Sequence, residues 1–485
     1  MGHDTAIETK GGRAEATRAA WLAAIERHRH DRDAPGSDRY WSPRLDTASR
    51  DEIRAIQDDK VAAVAPFLYE NSPFYRRRFD RLGLAPTDIA SVDDLVARWP
   101  VVTKHEMAED ALAHPPYGTY STMTNAVWAD RGWMMFASSG TTGPPRVFRY
   151  SHVDRELWSW VNARAFTAMD FAKGDTVFMV TGYGPHVWAW GVQFGLAKMR
   201  LPAIPGGGLD AKARATIVVR YSPTILLCTP SYALHLGRVM QESGADPRAS
   251  SVRTVFVAGE PGMSVPATRE RIQDLWGARL VEFYGCTEAS PFAGGYSCAA
   301  SQPEGGPVTA HLMEDVLVWE VVDPATGDTL ADGERGLTTV TNLASESSPQ
   351  LRFLVGDYTV IDRGVCACGR THARALGSFR GRADDLINLR GIKLFPGQVE
   401  DALRSVPGVG DEFEIVIATD PAGLDVMTVR CEHGEHASPR GVVEAVAGEL
   451  RARCEVRIDV EVLAPGSLPK TEFKARRVRD LRGKG

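Results

Sequence analysis

The chain has 485 residues, 44% of them hydrophobic and 24% charged, with a net charge of −6. That length exceeds one simple core, so two or more domains are expected. Both signs of charge are spread along the chain, which argues against a nucleic-acid surface, and no apolar run approaches the length of a membrane-spanning helix. The seven cysteines are odd in number and mostly scattered. A reducing, cytoplasmic setting without a disulfide framework is expected. The polar start lacks the apolar core of a secretory signal, and Met1-Gly2 is not followed by the hydroxyl residue of a myristoylation signal.

In chain order, residues 1–15 read as a mobile tail. Residues 16–30 and 47–70 have helical spacing, and 69–80 mixes aromatics with arginines on a further helix. Trp133-Met134-Met135-Phe136 reads as a buried strand. It runs into Ser138-Ser139-Gly140-Thr141-Thr142-Gly143, four hydroxyls and two glycines in six residues. Glycines let backbone N–H groups approach an anion, and hydroxyls donate further hydrogen bonds, so this is a phosphate-binding design. It is not the Walker pattern. The competing reading is a polar surface loop.

From about 127 to 323, short apolar runs (176–181, 224–228, 254–258, 279–284) alternate with helix-like stretches. Alternation implies crossover units and a mostly parallel sheet. Sites in such sheets form in loops after the strands: here Gly182-Tyr183-Gly184-Pro185, Gly259-Glu260-Pro261 and Tyr284-Gly285-Cys286-Thr287-Glu288. Residues 314–362 read as antiparallel strands, 316–322 and 337–342, around a turn at 323–328. A second domain is expected near Asp384, with helices at 396–405 and 441–452 and strands at 414–418, 425–430 and 456–462. The fold class is thus α/β: a large N-terminal domain (16–383) of mostly parallel, helix-covered sheets plus a β-rich subdomain, and a small C-terminal α+β lid domain (384–485).

Several loops carry chemistry. Glu288 beside a triphosphate makes sense only if Mg2+ mediates, and Thr287 can donate to a phosphate oxygen. Asp357 follows a glycine at an expected strand end, where a carboxylate can accept from both hydroxyls of a ribose. Lys474, in a tail held by Pro469 and Thr471, can place one point charge on a phosphate or carboxylate. Each taken singly is also an ordinary turn or tail residue.

Together, in this order, these segments resemble the adenylate-forming superfamily of acyl-CoA ligases, and within it the phenylacetate–CoA ligase family. Support runs from Tyr40-Trp41, through Ser49-Arg50-Asp51-Glu52 and Ser72-Pro73-Phe74-Tyr75-Arg76, to Lys474. The most specific block is Gly381-Arg382-Ala383-Asp384-Asp385 through Pro396-Gly397-Gln398-Val399-Glu400. The resemblance implies that Ser138, Ser139, Gly140, Thr141, Thr142 and Gly143 hold the ATP phosphates. It implies that Gly259, Glu260 and Pro261 lie against adenine, and that Tyr284 and Gly285 lead into the phosphate- and Mg2+-binding pair Thr287 and Glu288. It further implies that Asp357 binds ribose and that Arg382 lies near ribose and phosphates. Asp384 would be the lid hinge, Gly391 would line the pantetheine tunnel, and Lys474 would promote adenylation. The expected cofactors are ATP, Mg2+ and coenzyme A, and a homodimer is implied. Three places depart from the family pattern: Pro144 stands where the phosphate loop usually carries a lysine, Phe473 where a glycine precedes the terminal lysine, and Ala289-Ser290-Pro291-Phe292 after Glu288 departs as well. Arg146 and Arg149 are the nearby cations able to compensate.

Cys366 and Cys368 form a two-thiolate hook, with Cys298 and His311 upstream. Three sulfurs and one imidazole suit a closed tetrahedral Zn2+ site. The alternatives are buried free thiols, or His372 as the imidazole ligand. Tyr183, Gly184, His186 and Trp188 fall where relatives line the acyl pocket, and their rings suit a flat aryl or arylacetic acid. Trp158 and Trp160 read as plain core. The leading expectation is an aryl-CoA ligase. An adenylating enzyme with another acceptor, or a non-catalytic binder, stand as alternatives.

Overall fold

A computed structural model describes residues 4–33, 39–138, 146–304, 306–389, 392–421, 424–434, 437–454, 456–470 and 477–482, with the backbone alone for 4–11. The expected site residues Ser139, Gly140, Thr141, Thr142, Gly143, Gly391 and Lys474 lie outside the described residues, as do Pro144 and Phe473. Among the described residues no helix is long and apolar enough to cross a membrane, and every cysteine is a free thiol.

Two compact units emerge. The first comprises Met1–Gly174, Tyr183–Pro202 and Phe283–Leu376; the second comprises Asp175–Gly182, Ala203–Glu282 and Gly377–Gly485.

In the first unit the opening helix spans Asp4–His28, so it begins inside the segment expected to be a tail. Trp21 stacks on Phe67 and buries against the helix Arg50–Asn71, and nearer the start the Asn71 side-chain amide donates to the Ala14 carbonyl and the Thr17 hydroxyl. Arg50–Asn71 starts at a capping box. The Ser49 hydroxyl accepts from Glu52 N–H, and the Glu52 carboxylate accepts from Ser49 N–H. It ends at Asn71, because Ser72 caps a new helix, Pro73–Leu82, whose proline has no N–H to continue the first.

The β-rich part of this unit is an antiparallel series. Residues 283–286 pair with Ser290–Tyr296, which pairs with Thr309–Leu312 and then Arg374–Leu376. Next come Gln350–Asp362, Arg335–Asn342 and Leu317–Val322. The segment expected as a buried strand, 133–136, lies in the strand Gly132–Ala137, paired with Val147–Ser151, but only Phe136 along it is buried. The pair is a two-stranded ribbon, which leaves one face of its first strand partly open.

The second unit holds the parallel sheet, in the order Ala203–Pro205, Val177–Met179, Ile225–Cys228, Thr254–Val257 and residues 279–282. Its three central strands are buried throughout and read as continuous apolar runs, as a sheet covered on both faces requires. The helices Ala211–Tyr221 and Pro230–Glu242 start at Asp210 and Thr229, whose side chains cap them.

The C-terminal part of this unit matches the expected order of elements. Strands Asp459–Leu463, Asp425–His433, Val409–Thr419 and Val478–Asp480 form one sheet. Helices Pro396–Ser405 and Pro439–Cys454 accompany it, around an apolar core that includes Leu389, Val399, Ile415, Val429 and Val446. The units do not divide at Asp384. Residues 377–485 group with the parallel sheet because they dock on the helix Pro266–Trp276, which has no side-chain cap of its own. Asp401 supplies one by accepting from Ala267 N–H at 2.9 Å, and Thr268 donates to Glu400.

Candidate nucleotide site and metal centre

In the first unit Ser138 closes the neck of the expected phosphate loop. Its N–H donates to the Arg146 carbonyl at 2.9 Å, and its hydroxyl accepts from Arg146 N–H at 3.2 Å. Next to the neck, Ala137 N–H donates to the Pro185 carbonyl at 2.8 Å, which holds the loop 182–186 against the end of the ribbon. Two loops named separately from the sequence are thus joined at their bases.

The expected turn at 284–288 lies later than its strand suggested. The strand continues to Cys286, and residues 287–289 turn into Ser290–Tyr296. Gly285 is required by close approach: a Cβ there would meet the carbonyl oxygens of Ser290 and Phe292 at 2.5 and 2.7 Å. The Thr287 carbonyl accepts from Tyr150 OH at 2.6 Å. Glu288 is 6% exposed and pairs with the Arg146 guanidinium at 2.7 Å. Arg149, the other cation near the loop, is engaged elsewhere: it donates to Asn125 Oδ1 and the Met123 carbonyl and lies over the Tyr117 ring.

Asp357 does not end a strand. It lies within Gln350–Asp362, just after a bulge at which Gly356 takes φ +87° and the register to the neighbouring strand shifts. The bulge re-aims the carboxylate, which accepts from Tyr284 OH. Lys104, which the sequence reading passed over, donates to the Val355 carbonyl at 2.8 Å, two residues from Asp357. A lone lysine in the first turn of a helix carries no local signal for that position.

The expected acyl-pocket residues gather rings. Tyr183 donates to Gln193 Oε1 and meets Trp190 edge-on at 4.9 Å, while Trp190 donates to the Gly184 carbonyl. Trp188 packs edge-on with Phe283 at 6.3 Å. His186 is half-buried at the start of the helix Val187–Lys198, which it does not cap with its side chain. Trp158 and Trp160 are fully buried core residues.

In the second unit Gly259 takes φ +85° in the loop after Thr254–Val257. Glu260 accepts from the Ser231 N–H and hydroxyl, so it stabilises the first turn of Pro230–Glu242; Pro261 is exposed. Arg382 reaches Asp384 at 3.3 Å across the short turn Ala383–Asp385, whose two carboxylates are exposed.

Cys298, His311, Cys366 and Cys368 converge, with all four donor atoms within 4.8 Å of one another and all four residues buried. Cys298 Sγ lies 3.9 Å from Cys366 Sγ, and Cys368 Sγ lies 3.3 Å from His311 Nε2. Those separations suit ligands spaced around one tetrahedral ion with bonds of about 2–2.3 Å. His311 Nδ1 points to the His372 carbonyl at 3.3 Å, leaving Nε2 to face the sulfurs. Hydrogen bonds from Cys298 hold the Cys366 and Cys368 thiols below their usual range, and Cys298 is pushed up in return. The donor set therefore fits Zn2+. His372 is not a ligand: its Nδ1 accepts from Glu314 N–H, and its Nε2 faces the Leu45 carbonyl at 3.0 Å.

Comparison with known proteins gives the family. The profile of the AMP-binding enzyme family matches residues 81–341, and that of the AMP-binding enzyme C-terminal domain matches 391–482. The chain is 31% identical to a phenylacetate-coenzyme A ligase of Thermus thermophilus, over 91% of this chain and 99% of the relative. It is 29% identical to that of Escherichia coli, over 90% and 97%. Among solved structures it is similar to a 2-hydroxyisobutyryl-CoA ligase in the postadenylation state with 2-HIB-AMP: TM-score 0.86, 29% identity, 95% of this chain and 96% of that one. The chain belongs to the phenylacetate–CoA ligase family of the adenylate-forming superfamily, the AMP-forming acyl-CoA ligases.

Proposed function

We propose that this protein adenylates an aromatic carboxylic acid, aryl or arylacetic, and passes the acyl group to coenzyme A. The observation that carries the reading is the convergence in one unit of three segments far apart in sequence. Ser138 and Arg146 form the loop neck, Glu288 pairs with Arg146, and Tyr284 on the same hairpin as Glu288 binds Asp357. Support for an aromatic acid comes from the rings of Tyr183, Trp188, Trp190 and Phe283, and from the relatives named for phenylacetate. The solved relative, named for 2-hydroxyisobutyryl-CoA, makes a small aliphatic acid the competing substrate.

In the first half-reaction the acid's carboxylate attacks the α-phosphorus of ATP, and the bond to the bridging oxygen breaks to release pyrophosphate. In the second, the thiol sulfur attacks the acyl carbonyl and AMP leaves. Residues 138–143 bind the phosphates, Asp357 orients the ribose, and Gly259, Glu260 and Pro261 border the adenine. Thr287 donates to a phosphate oxygen, and Glu288 would hold Mg2+, which would supply positive charge between two anions. Lys474 adds a cation at the transition state. The lid, 384–485, turns about Asp384 so that Gly391 replaces Lys474 beside the thiol path. Zn2+ on Cys298, His311, Cys366 and Cys368 is structural, since four protein ligands leave no open position. A cytoplasmic homodimer fits the family resemblance.

Pyrophosphate release is measured with benzoates, phenylacetates and 2-hydroxyisobutyrate, with and without CoA. Release with aromatic acids and formation of the matching thioester are expected. Preference for 2-hydroxyisobutyrate would reject the aromatic substrate, and release without thioester would point to another acceptor.

A further inference from the structure

We propose that Arg146 is the phosphate-loop cation of this enzyme, held by Glu288 until MgATP binds and then transferred to the β,γ-phosphates. The inference rests on the nucleotide reading above. Pro144 removes the charge the family loop usually supplies, yet a triphosphate still carries several negative charges to be met. Of the two arginines near the loop, Arg149 already donates to Asn125 and Met123 and stacks on Tyr117. Arg146 is placed differently. Its backbone is fixed to Ser138 at both N–H and C=O, so its position relative to the loop neck is set. Its side chain is 14% exposed, and its buried Nε has no acceptor among the described residues. A guanidinium with an unused donor can take a phosphate oxygen without first losing every bond it has.

The partner it holds gives the exchange its logic. Glu288 is the carboxylate assigned to Mg2+, and a carboxylate 8% exposed in its side chain must be paired while no cation is bound. Arg146 provides that pairing. When Mg2+ takes the carboxylate, Arg146 loses its partner beside an incoming anion. Each charge then exchanges one partner for another, and none is left buried alone. Arginine suits the task because its planar fork can bridge two phosphate oxygens.

The test is calorimetric binding of ATP and of AMP, with and without Mg2+, to the wild type, Arg146→Gln, Arg146→Lys and the double variant Pro144→Lys/Arg146→Gln. Arg146→Gln is expected to weaken MgATP binding roughly 10- to 100-fold, the range of one or two charge-assisted hydrogen bonds, and to leave AMP within about twofold. Pro144→Lys in the double variant should restore most of the ATP affinity, and Arg146→Lys should lose only a few-fold. Unchanged ATP binding in Arg146→Gln would overturn the proposal. So would a parallel loss of ATP and AMP, the mark of a merely structural ion pair. Thermal unfolding of each variant accompanies the titrations; should Arg146→Gln not fold, Arg146→Lys decides: a few-fold loss of ATP affinity with AMP unchanged sustains the proposal, and unchanged ATP binding or a parallel loss of ATP and AMP refutes it. A wild type that binds neither nucleotide would sink the nucleotide reading itself.

Discussion

Glu282 is a buried carboxylate that accepts from the Ser378 hydroxyl and Met263 N–H. Burial pushes its carboxyl up to about 7, against those hydrogen bonds and the Arg269 charge, which pull it down. Its folded value thus lies above the ordinary 4.5, so the folded state holds the proton more tightly. The resulting stabilisation is full below pH about 4.5 and is lost as pH rises through 7. Relative to Glu282→Gln, the wild type should therefore lose stability between pH 5 and 8, by up to about 3 kcal/mol. Urea unfolding of both proteins across that range checks it; a gap that does not move with pH would reject the assignment. Arg164 shows the opposite use of burial. It is fully enclosed and bonded to Asp46 and Asp315, so each charge has a partner. Neither arrangement was legible in the sequence, because Ser378 lies 96 positions from Glu282, and Asp46 and Asp315 lie 118 and 151 positions from Arg164.

At the scale of elements, the four-residue Cys/His cluster joins three pieces of chain: Cys298 after Ser290–Tyr296, His311 within Thr309–Leu312, and the Cys366/Cys368 hook before Arg374–Leu376. A bound ion cross-links the turns of this antiparallel sheet and stabilises it by the free energy of metal binding. Plasma emission analysis should find one zinc per chain, lost in Cys366→Ser, with thermal unfolding shifted down by several degrees. Wild-type protein without zinc ends the idea. The Cys366/Cys368 hook with Cys298 and His311 upstream suggested these four ligands; the fold supplied the test that separates His311 from His372, since both nitrogens of His372 are engaged. Asp357 shows the reverse. Gly356-Asp357 read as a strand end, whereas the chain runs on as a strand and the glycine marks a bulge. Local sequence cannot distinguish the two, because both use a left-handed glycine.

At the scale of the molecule, the C-terminal segment has a core of its own yet docks through Asp401 and Glu400 on the helix Pro266–Trp276. The rotation about Asp384 proposed above would break such bonds between the two half-reactions. The proposed division of labour predicts that Lys474→Ala slows pyrophosphate release by at least about 100-fold, as loss of a transition-state cation does. Thioester formation from supplied acyl-AMP should change far less. Equal slowing of both steps, measured by single-turnover kinetics, would refute the role assigned to Lys474.

The sequence by itself determined the α/β class, most element types and the C-terminal order of strands and helices, since period, caps and turn residues are local properties. It also carried the family, because that signal lies in short motifs read in order. Only the tertiary structure decided which cation meets Glu288, where Asp357 sits in its strand and which histidine faces the thiols. Those are pairings between residues far apart in the chain, fixed by packing and by the need to satisfy each buried charge.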